Sequence, residues 1–557
     1  MSEIQPGADA GDTVYRYHDA TKHRFHGFAR GPGRLDWATQ PDPFRRYAGA
    51  AVLPLSHPPP DTGPDYESAF LEGGVTPVAL DRDSLAQLLY DSLALSAWKQ
   101  AGTSRWALRV NPSSGNLHPT EGYLLCGPVE GLTDTPLLAH YAPAAHALEV
   151  RRRFTPAQWQ ALVQGLPAGA LLVGFSSIPW REAWKYGERA FRYCQHDIGH
   201  AIAALGIAAA GLGWKAVLLD ALSDDALTAL LGLSVAPDPE VEIAECLLAV
   251  FPQGATGDVT GLSAPAVAAI GALACDGVPN RLSPTHRAWP IIDEVAAATR
   301  RPADAPARDA ATPVPNPSLT AGAGAFPLRR IIHQRRSAVA LDGRTGITRA
   351  AFYQMLLKAM PGRGQFPFNA LPWAPCIHLA LFVHRVQGVD PGLYCLARDP
   401  DRLTALRAAF DAEFDWALAP AAPPGLPLYR LRAGDCRALA ARLSCFQDIA
   451  GDGVFSLGML AEFDAALAQY GPWFYRRLYW EAGAVGQLLY LEAEASGVRA
   501  TGIGCFFDDP VHDVLGLRDQ RFQSIYHFTV GGALEDLRLM TYPPYGDPGL
   551  NPGDRPP

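Results

Sequence analysis

Two short runs in this chain have residue types suited to opposite ends of one charged, planar ligand. Asn111-Pro-Ser-Ser-Gly-Asn-Leu-His-Pro119 places Pro112, Ser113, Ser114, Gly115 and Asn116 side by side. Two hydroxyls, an amide with both donor and acceptor, and a glycine that lets a ligand touch the backbone can follow the polar edge of a heterocycle. The same residues also make a good turn for conformational reasons alone. Far along the chain, Arg335, Arg336 and Ser337 offer two guanidinium forks and a hydroxyl, the donor set that a phosphate takes. Their alternative is a solvated helix face or a surface ion pair. His196 and His200 stand at i and i+4, a spacing that can hold a metal. No third ligand lies near them in sequence, so two hydrogen-bonded packing histidines are expected and no metal.

The elements that must position these residues read as alternating helices and strands. Leu85, Leu88, Leu89 and Leu93 recur at helical spacing between Leu80 and Trp98, with Asp83 and Ser84 available to cap, so a helix should lead into the Ser113 turn. Tyr123–Cys126 and Leu171–Phe175 read as buried strands. Ala201 to Gly211 is almost wholly small and apolar, as in a helix packed closely on another backbone. Residues 1 to about 60, rich in His, Arg, Pro and aromatics, read as an extended arm wrapped on a domain.

At 557 residues the chain needs at least two domains. A net charge of -9 disfavours nucleic acid or an anionic membrane as partner and favours a small molecule. No secretory signal or membrane span is evident, so a cytoplasmic protein is expected. The nine cysteines form no C-x-x-C pair, which disfavours a zinc knuckle or a disulfide framework. Ala and Pro dominate residues 263–325, predicting a linker laid over the surface between domains at 1–262 and 326–557.

The two halves repeat one another. A shift of 284 residues aligns Tyr186-Gly-Glu-Arg-Ala-Phe-Arg192 with Tyr470-Gly-Pro-Trp-Phe-Tyr-Arg476, Gly199 with Gly483, and Gly213-Trp-Lys-Ala216 with Gly497-Val-Arg-Ala500. A shift of 256 aligns Pro119 and the strand after it with Pro375 and Ile377–Val383. This is the pattern of a homodimer fused into one chain.

On Arg335-Arg-Ser337, Pro112-Ser-Ser-Gly-Asn116, Lys185-Tyr-Gly-Glu-Arg-Ala-Phe-Arg-Tyr193 and Gly497 through Thr501-Gly-Ile-Gly504 with Phe506–Asp509, the chain resembles the FMN-dependent nitroreductase superfamily. Within it the likeness is to the SagB-type, azoline oxidase-like branch. The resemblance implies an α+β fold: two domains, each a mixed sheet flanked by helices, forming an intramolecular pseudo-dimer that binds FMN between them. It implies the phosphate on Arg335, Arg336 and Ser337, with Arg538 as a further basic contact. Backbone amides around Gly502, Gly504 and Cys505 would face the flavin, and Pro112 to Asn116 would come from the other half. Lys185 and Tyr186 match the pair that this branch uses to abstract a proton as hydride leaves.

Each half has lost what the other keeps. The counterpart of the Ser113 turn reads Phe368-Asn-Ala-Leu-Pro-Trp-Ala-Pro375, and the counterpart of the arginine fork reads Tyr66-Glu-Ser-Ala-Phe-Leu-Glu-Gly-Gly74. One FMN per chain is therefore expected, with a small-molecule or peptide-derived substrate and biosynthetic partner proteins that deliver it. An NAD(P)H-dependent nitro or quinone reductase and a non-catalytic flavin-binding subunit are the other readings.

Overall fold

A computed structural model describes residues 8–59, 62–305, 326–362 and 365–546. Each half builds one seven-stranded sheet. In the first half the strand order is Ala51–Pro54, Ala147–Arg153, Leu137–Ala142, Thr120–Cys126, Leu171–Ser177, Ile243–Pro252, Trp214–Leu218. In the second it is Ala417–Leu418, Leu428–Ala433, Gly392–Leu396, Ile377–Val383, Phe455–Glu462, Phe522–Gly531, Arg499–Ile503; the six strands after the first repeat the order of their equivalents, and only the edge strand Ala417–Leu418 comes from a different place in the chain. Helices flank both sheets, giving the expected α+β class. The expected mixed pairing is corrected: every neighbour within both sheets is antiparallel. Continuous apolar strands report burial on two faces, and they say nothing about direction.

Alternation along a strand divides the core. Leu171, Val173 and Phe175 face a core shared by both halves, while Leu172 faces an outer core with Trp159, Leu227 and Ile270. Ala264–Gly271 supplies Ala266, Val267 and Ile270 to that outer core, and Pro290–Ala298 packs on the N-terminal helix Ala8–Ala20. The expected linker is therefore corrected: its first part is folded cover for the first sheet, because Ala-rich windows flanked by Pro suit short helices with proline at the first turn. Residues 306–325 lie outside the described residues. The expected extended arm likewise begins as a helix, and it reaches the second half, where Tyr15 donates to Asp464 at 2.9 Å.

Two long helices, Ala190–Gly211 and Tyr475–Ala495, pack against each other at the centre. Gly199 and Gly483 make that approach possible: a Cβ on Gly199 would stand 2.2 Å from the Trp480 carbonyl oxygen, and one on Gly483 would stand 2.3 Å from that of His196. Equivalent ion pairs flank the crossing. Arg192 bonds Asp508 at 2.8 Å, and Arg476, its counterpart at the shift of 284, bonds Asp224, the counterpart of Asp508. Reciprocal contacts of this kind define a two-fold interface.

The segment 80–98 departs from expectation. The helix covers only Arg82–Tyr90, capped by Asp81 with Ser84 three positions on (2.8 and 2.9 Å), and Leu95–Ala101 forms a strand of a hairpin with Ser104–Arg109. Met540–Tyr542 from the far end of the chain adds a third strand to it. Among the described residues no helix is long and apolar enough to cross a membrane.

Adding a methyl at Gly199 forces the helices apart, and overpacking of this kind costs about 1–3 kcal/mol. Gly199→Ala should lower the melting temperature clearly, whereas Gly11→Ala, in a helix with open space at its Cβ, should change stability by less than about 1 kcal/mol. Equal melting curves for Gly199→Ala and the parent would mean that the close crossing is not required.

Candidate active site

The hairpin, the turn after it and the start of the second half enclose a cavity of about 310 Å³. Pro112, Ser113, Ser114, Gly115 and Asn116 line it from the first half, and Arg335, Arg336, Ser337 and Gly502 from the second. Residues more than two hundred positions apart thus share one wall. Sequence reasoning found those nine, weighed His200 only as a metal ligand, and missed Lys99, Trp106, Arg109, Asp197, Tyr490, Arg499 and Tyr526; all of these also line it.

The Ser113 turn is tightly determined. Gly115 and Asn116 have φ of 63° and 56°, the left-handed region that glycine and asparagine tolerate. Ser113 Oγ accepts the His118 amide at 2.9 Å and donates to Glu182 Oε1 at 3.1 Å. Arg181, one residue before Glu182, bonds the His118 carbonyl at 2.7 Å and the Glu121 carboxylate at 2.5 Å, so helix Pro179–Tyr186 is tied to both ends of the turn. A methyl on Gly115 would lie 2.7 Å from the Tyr186 hydroxyl and 2.8 Å from Lys185 Nζ. Lys185 and Tyr186 therefore touch the turn from outside the cavity wall.

At the other end, Arg335 is 3% exposed and donates to the Arg109 carbonyl at 3.1 Å, with its guanidinium over the Tyr490 ring at 4.9 Å. Arg336 donates to the carbonyls of His333 (2.9 Å), Arg335 (2.6 Å) and Ser96 (2.9 Å). Neither guanidinium forms an ion pair among the described residues, and Arg335 Nε is buried without a partner. Burial lowers the pKa of both groups, and for Arg336, pulled to about 10, the Arg335 charge adds to the effect. Ser337 Oγ and Tyr490 OH stand 2.9 Å apart, and Tyr490 OH accepts the Gly502 amide at 2.9 Å. Uncompensated buried cations with open donors are the electrostatic need that a bound anion meets. The donor set fits a phosphate, and the small, polar turn fits the edge of a ring system; the residues present thus suit FMN.

Arg538 is a correction. Its side chain is 87% exposed and bonds only the Asp536 carboxylate, and it does not line the cavity. Asp536 turns the backbone by accepting the Arg538 amide, which aims that arginine into solvent. Gly504 and Cys505 also stand outside the cavity wall. The Gly504 carbonyl accepts from Arg189 and Tyr193, both at 3.2 Å, which clamps this loop to the first long helix. His200 is buried and bonds Gln487 at 3.2 Å and Tyr526 at 3.1 Å, and burial lowers its pKa to about 3. His196 bonds the Ile525 carbonyl at 3.1 Å.

A nitroreductase family model matches residues 80–250 and 404–532, together more than half of the chain. The chain belongs to the nitroreductase family. It is a nitroreductase-fold oxidoreductase that carries the family domain twice. A nitroreductase-like protein of Anabaena variabilis superposes with a TM-score of 0.65 at 23% identity, over 94% of this chain and 99% of that one. The two-domain arrangement is therefore shared by both chains. The Escherichia coli microcin synthetase McbBCD complex with truncated pro-MccB17 bound gives a TM-score of 0.26 at 16% identity, over 45% of this chain and 93% of that one. A nitroreductase-like protein of Exiguobacterium sibiricum in complex with FMN gives 0.22 at 13%, over 37% and 88%. No curated protein matches.

Glu182 and Asp197 form the feature least visible in the sequence. Both are fully buried beneath the Ser113 turn, and each keeps one oxygen without a partner. Burial raises the Glu182 carboxyl well above its usual 4.5, with Asp197 as the next cause, and burial raises Asp197 likewise. A folded-state pKa above the unfolded one gives stability that is full below the unfolded value and is lost as pH rises through the folded value. Glu182→Gln keeps the oxygen that accepts from Ser113 and removes the ionisation. Its melting temperature should therefore gain on that of the parent as pH rises above the ordinary carboxyl value; an offset that stays constant with pH would show that Glu182 is not held protonated.

Proposed function

We propose that this protein is an FMN-dependent dehydrogenase or oxidase of the SagB type, which removes a proton and a hydride from a small-molecule or peptide-derived, azoline-like substrate. The observation that carries the reading is the meeting of Arg335, Arg336 and Ser337 with Pro112 to Asn116 around one cavity. Bound FMN would supply a two-electron acceptor that the side chains lack. Arg335, Arg336 and Ser337 would hold its phosphate, and Ser113, Ser114, Gly115 and Asn116 its ring edge, with Gly502 offering a backbone contact.

Lys185 Nζ is the base in this reading. It reaches the turn beside Tyr186, whose hydroxyl is kept protonated by burial. The tyrosine can therefore orient the substrate by donating while the lysine accepts the proton. Glu182, through Ser113, keeps the turn and the Lys185 helix in register. The first half alone has this pair; Gln469-Tyr470 stands at the equivalent place in the second.

One FMN per chain fits the filling of the second, degenerate location. There Tyr66 donates to Glu492 at 2.5 Å, and Lys358 bridges Glu492 at 2.8 Å and Glu67 at 2.9 Å. Trp373 donates to Glu481 at 3.3 Å. In this reading a protein cation and an indole stand where a second phosphate and ring would otherwise be held. A cytoplasmic enzyme working with biosynthetic partner proteins completes the proposal.

Arg335→Ala with Arg336→Ala should release flavin from the purified protein, and the parent should saturate at one FMN by absorbance after denaturation; two equivalents would refute the composite site. Lys185→Ala should retain flavin and slow substrate oxidation by about 10²-fold or more. Parent-like turnover would remove Lys185 from the mechanism, and rapid steady-state NAD(P)H oxidation by the parent would favour a reductase instead.

A further inference from the structure

Six of the nine cysteines are buried; Cys275, Cys445 and Cys505 are partly exposed. Cys445 and Cys505, sixty residues apart in sequence, bring their sulfurs to 2.7 Å. Two backbone features aim them at each other. The Cys505 carbonyl accepts from Gln447 at 3.0 Å, beside the clamped Gly504. Cys445 and Phe446 have φ of 54° and 59°, a left-handed conformation that residues with a Cβ adopt only under constraint. That turn directs the Cys445 side chain onto Cys505.

The surroundings favour a thiolate at Cys505. His23 Nδ1 accepts the Ala29 amide at 2.9 Å, which leaves the ring proton on Nε2, and the ring hydrogen-bonds the Cys505 sulfur. The Cys445 thiol, then His23 and the Arg189 charge, pull the Cys505 pKa down to about 5, while the same contact with Cys505 pushes Cys445 up. One proton thus serves two sulfurs. Phe25, Phe28 and Phe446 are exposed around the pair and pack with Phe507 at ring distances of 4.8, 5.7 and 5.3 Å. An apolar rim of this kind suits a small, uncharged organic molecule approaching the sulfurs.

We propose that Cys445 and Cys505 form a second reactive site, outside the flavin cavity, that reduces small neutral disulfides by thiol–disulfide exchange. The Cys505 thiolate attacks one sulfur of the disulfide, forming a mixed disulfide and expelling the first thiolate. Cys445 loses its proton to that leaving group or to solvent and attacks Cys505, expelling the second thiolate. Two protein thiols are oxidised to one disulfide, and the external disulfide is reduced to two thiols. Exchange is fastest when the attacking thiol is ionised and accessible, which assigns attack to Cys505 and resolution to Cys445.

The test incubates the native full-length protein with bis(2-hydroxyethyl) disulfide, quenches with acid and maps peptides without reduction. The parent should lose two of its nine thiols and yield a Cys445–Cys505 linked peptide, and dithiothreitol should restore all nine. Cys445→Ser should stop at a mixed disulfide on Cys505. Cys505→Ser should react at least tenfold more slowly than the parent, and His23→Gln should slow the parent reaction. Nine intact thiols in the treated parent, a link between other cysteines, or parent-rate reaction of Cys505→Ser would overturn the proposal. The parent result needs no substitution, so it stands even where a variant folds poorly, and it is independent of whether FMN binds.

Discussion

The close crossing of the two long helices at Gly199 and Gly483 is the constraint on which the cavity depends. Both backbones meet without side chains between them, so the distance and register of the two halves are fixed by peptide groups, which cannot repack as a leucine can. Asp197 and His200 flank Gly199 on one helix, and Tyr490 lies two turns beyond Gly483 on the other. A change in the crossing would move all three cavity walls together. The reciprocal Arg192–Asp508 and Arg476–Asp224 pairs hold the same register from the ends. Buried ion pairs add little net stability when desolvation is counted, but losing one partner leaves an uncompensated charge that costs about 3–5 kcal/mol. They therefore select one alignment more than they strengthen it.

Fusion has let the two equivalent places diverge in electrostatics. At the cavity, Arg335 and Arg336 donate to backbone carbonyls and neither guanidinium forms an ion pair among the described residues, with Glu494 the carboxylate whose charge both feel. At the degenerate place, Lys358 is answered by Glu492 and Glu67, and Arg398 by Glu481. Guanidinium groups without an ion pair at one place and ion-paired cations at the other make the two places electrostatically unlike. A symmetric homodimer cannot make that distinction, because any substitution appears twice.

Much of this architecture was legible in the sequence because it rests on repeats and on local rules. The shift of 284 that pairs Gly199 with Gly483 also pairs Arg192 with Arg476 and Asp224 with Asp508, so the interface was written in the register. The Ser113 turn was legible because glycine and asparagine at left-handed positions are local necessities. What was not legible depends on contacts across the fold. Asp197 reads as one polar residue in a packing helix until the Ser113 turn is laid over it, and Glu182 hides between the aromatic residues Trp180 and Trp184. The hairpin at Leu95–Arg109 was masked by leucines that carry the helical period up to Leu93; Gly102 at φ 56°, between two segments that each carry a tryptophan, was the signal against a longer helix. Arg538 misled because a basic residue near an equivalent position says nothing of its direction, and Asp536 decides that direction locally.

The start of the first long helix links the two sides of the Ser113 turn to the second half. Arg189 bonds Asp508 at 3.0 Å and the Gly504 carbonyl, and Arg192 bonds the other oxygen of Asp508, so one carboxylate from the second half holds two arginines of the first. Three residues before Arg189 is Tyr186, and beyond it Lys185, both against Gly115. The loop that carries Gly504 is thereby connected through the buried Arg189 guanidinium to the start of the helix, just after the residues that touch the turn. Arg189 and Arg192 hold the Asp508 carboxyl well below the usual carboxylate range, and Asp508 in turn raises Arg189. The arginines of this interior thus face carboxylates or carbonyls, whereas Glu182 and Asp197 lie near each other beneath the turn, each with one oxygen unpartnered.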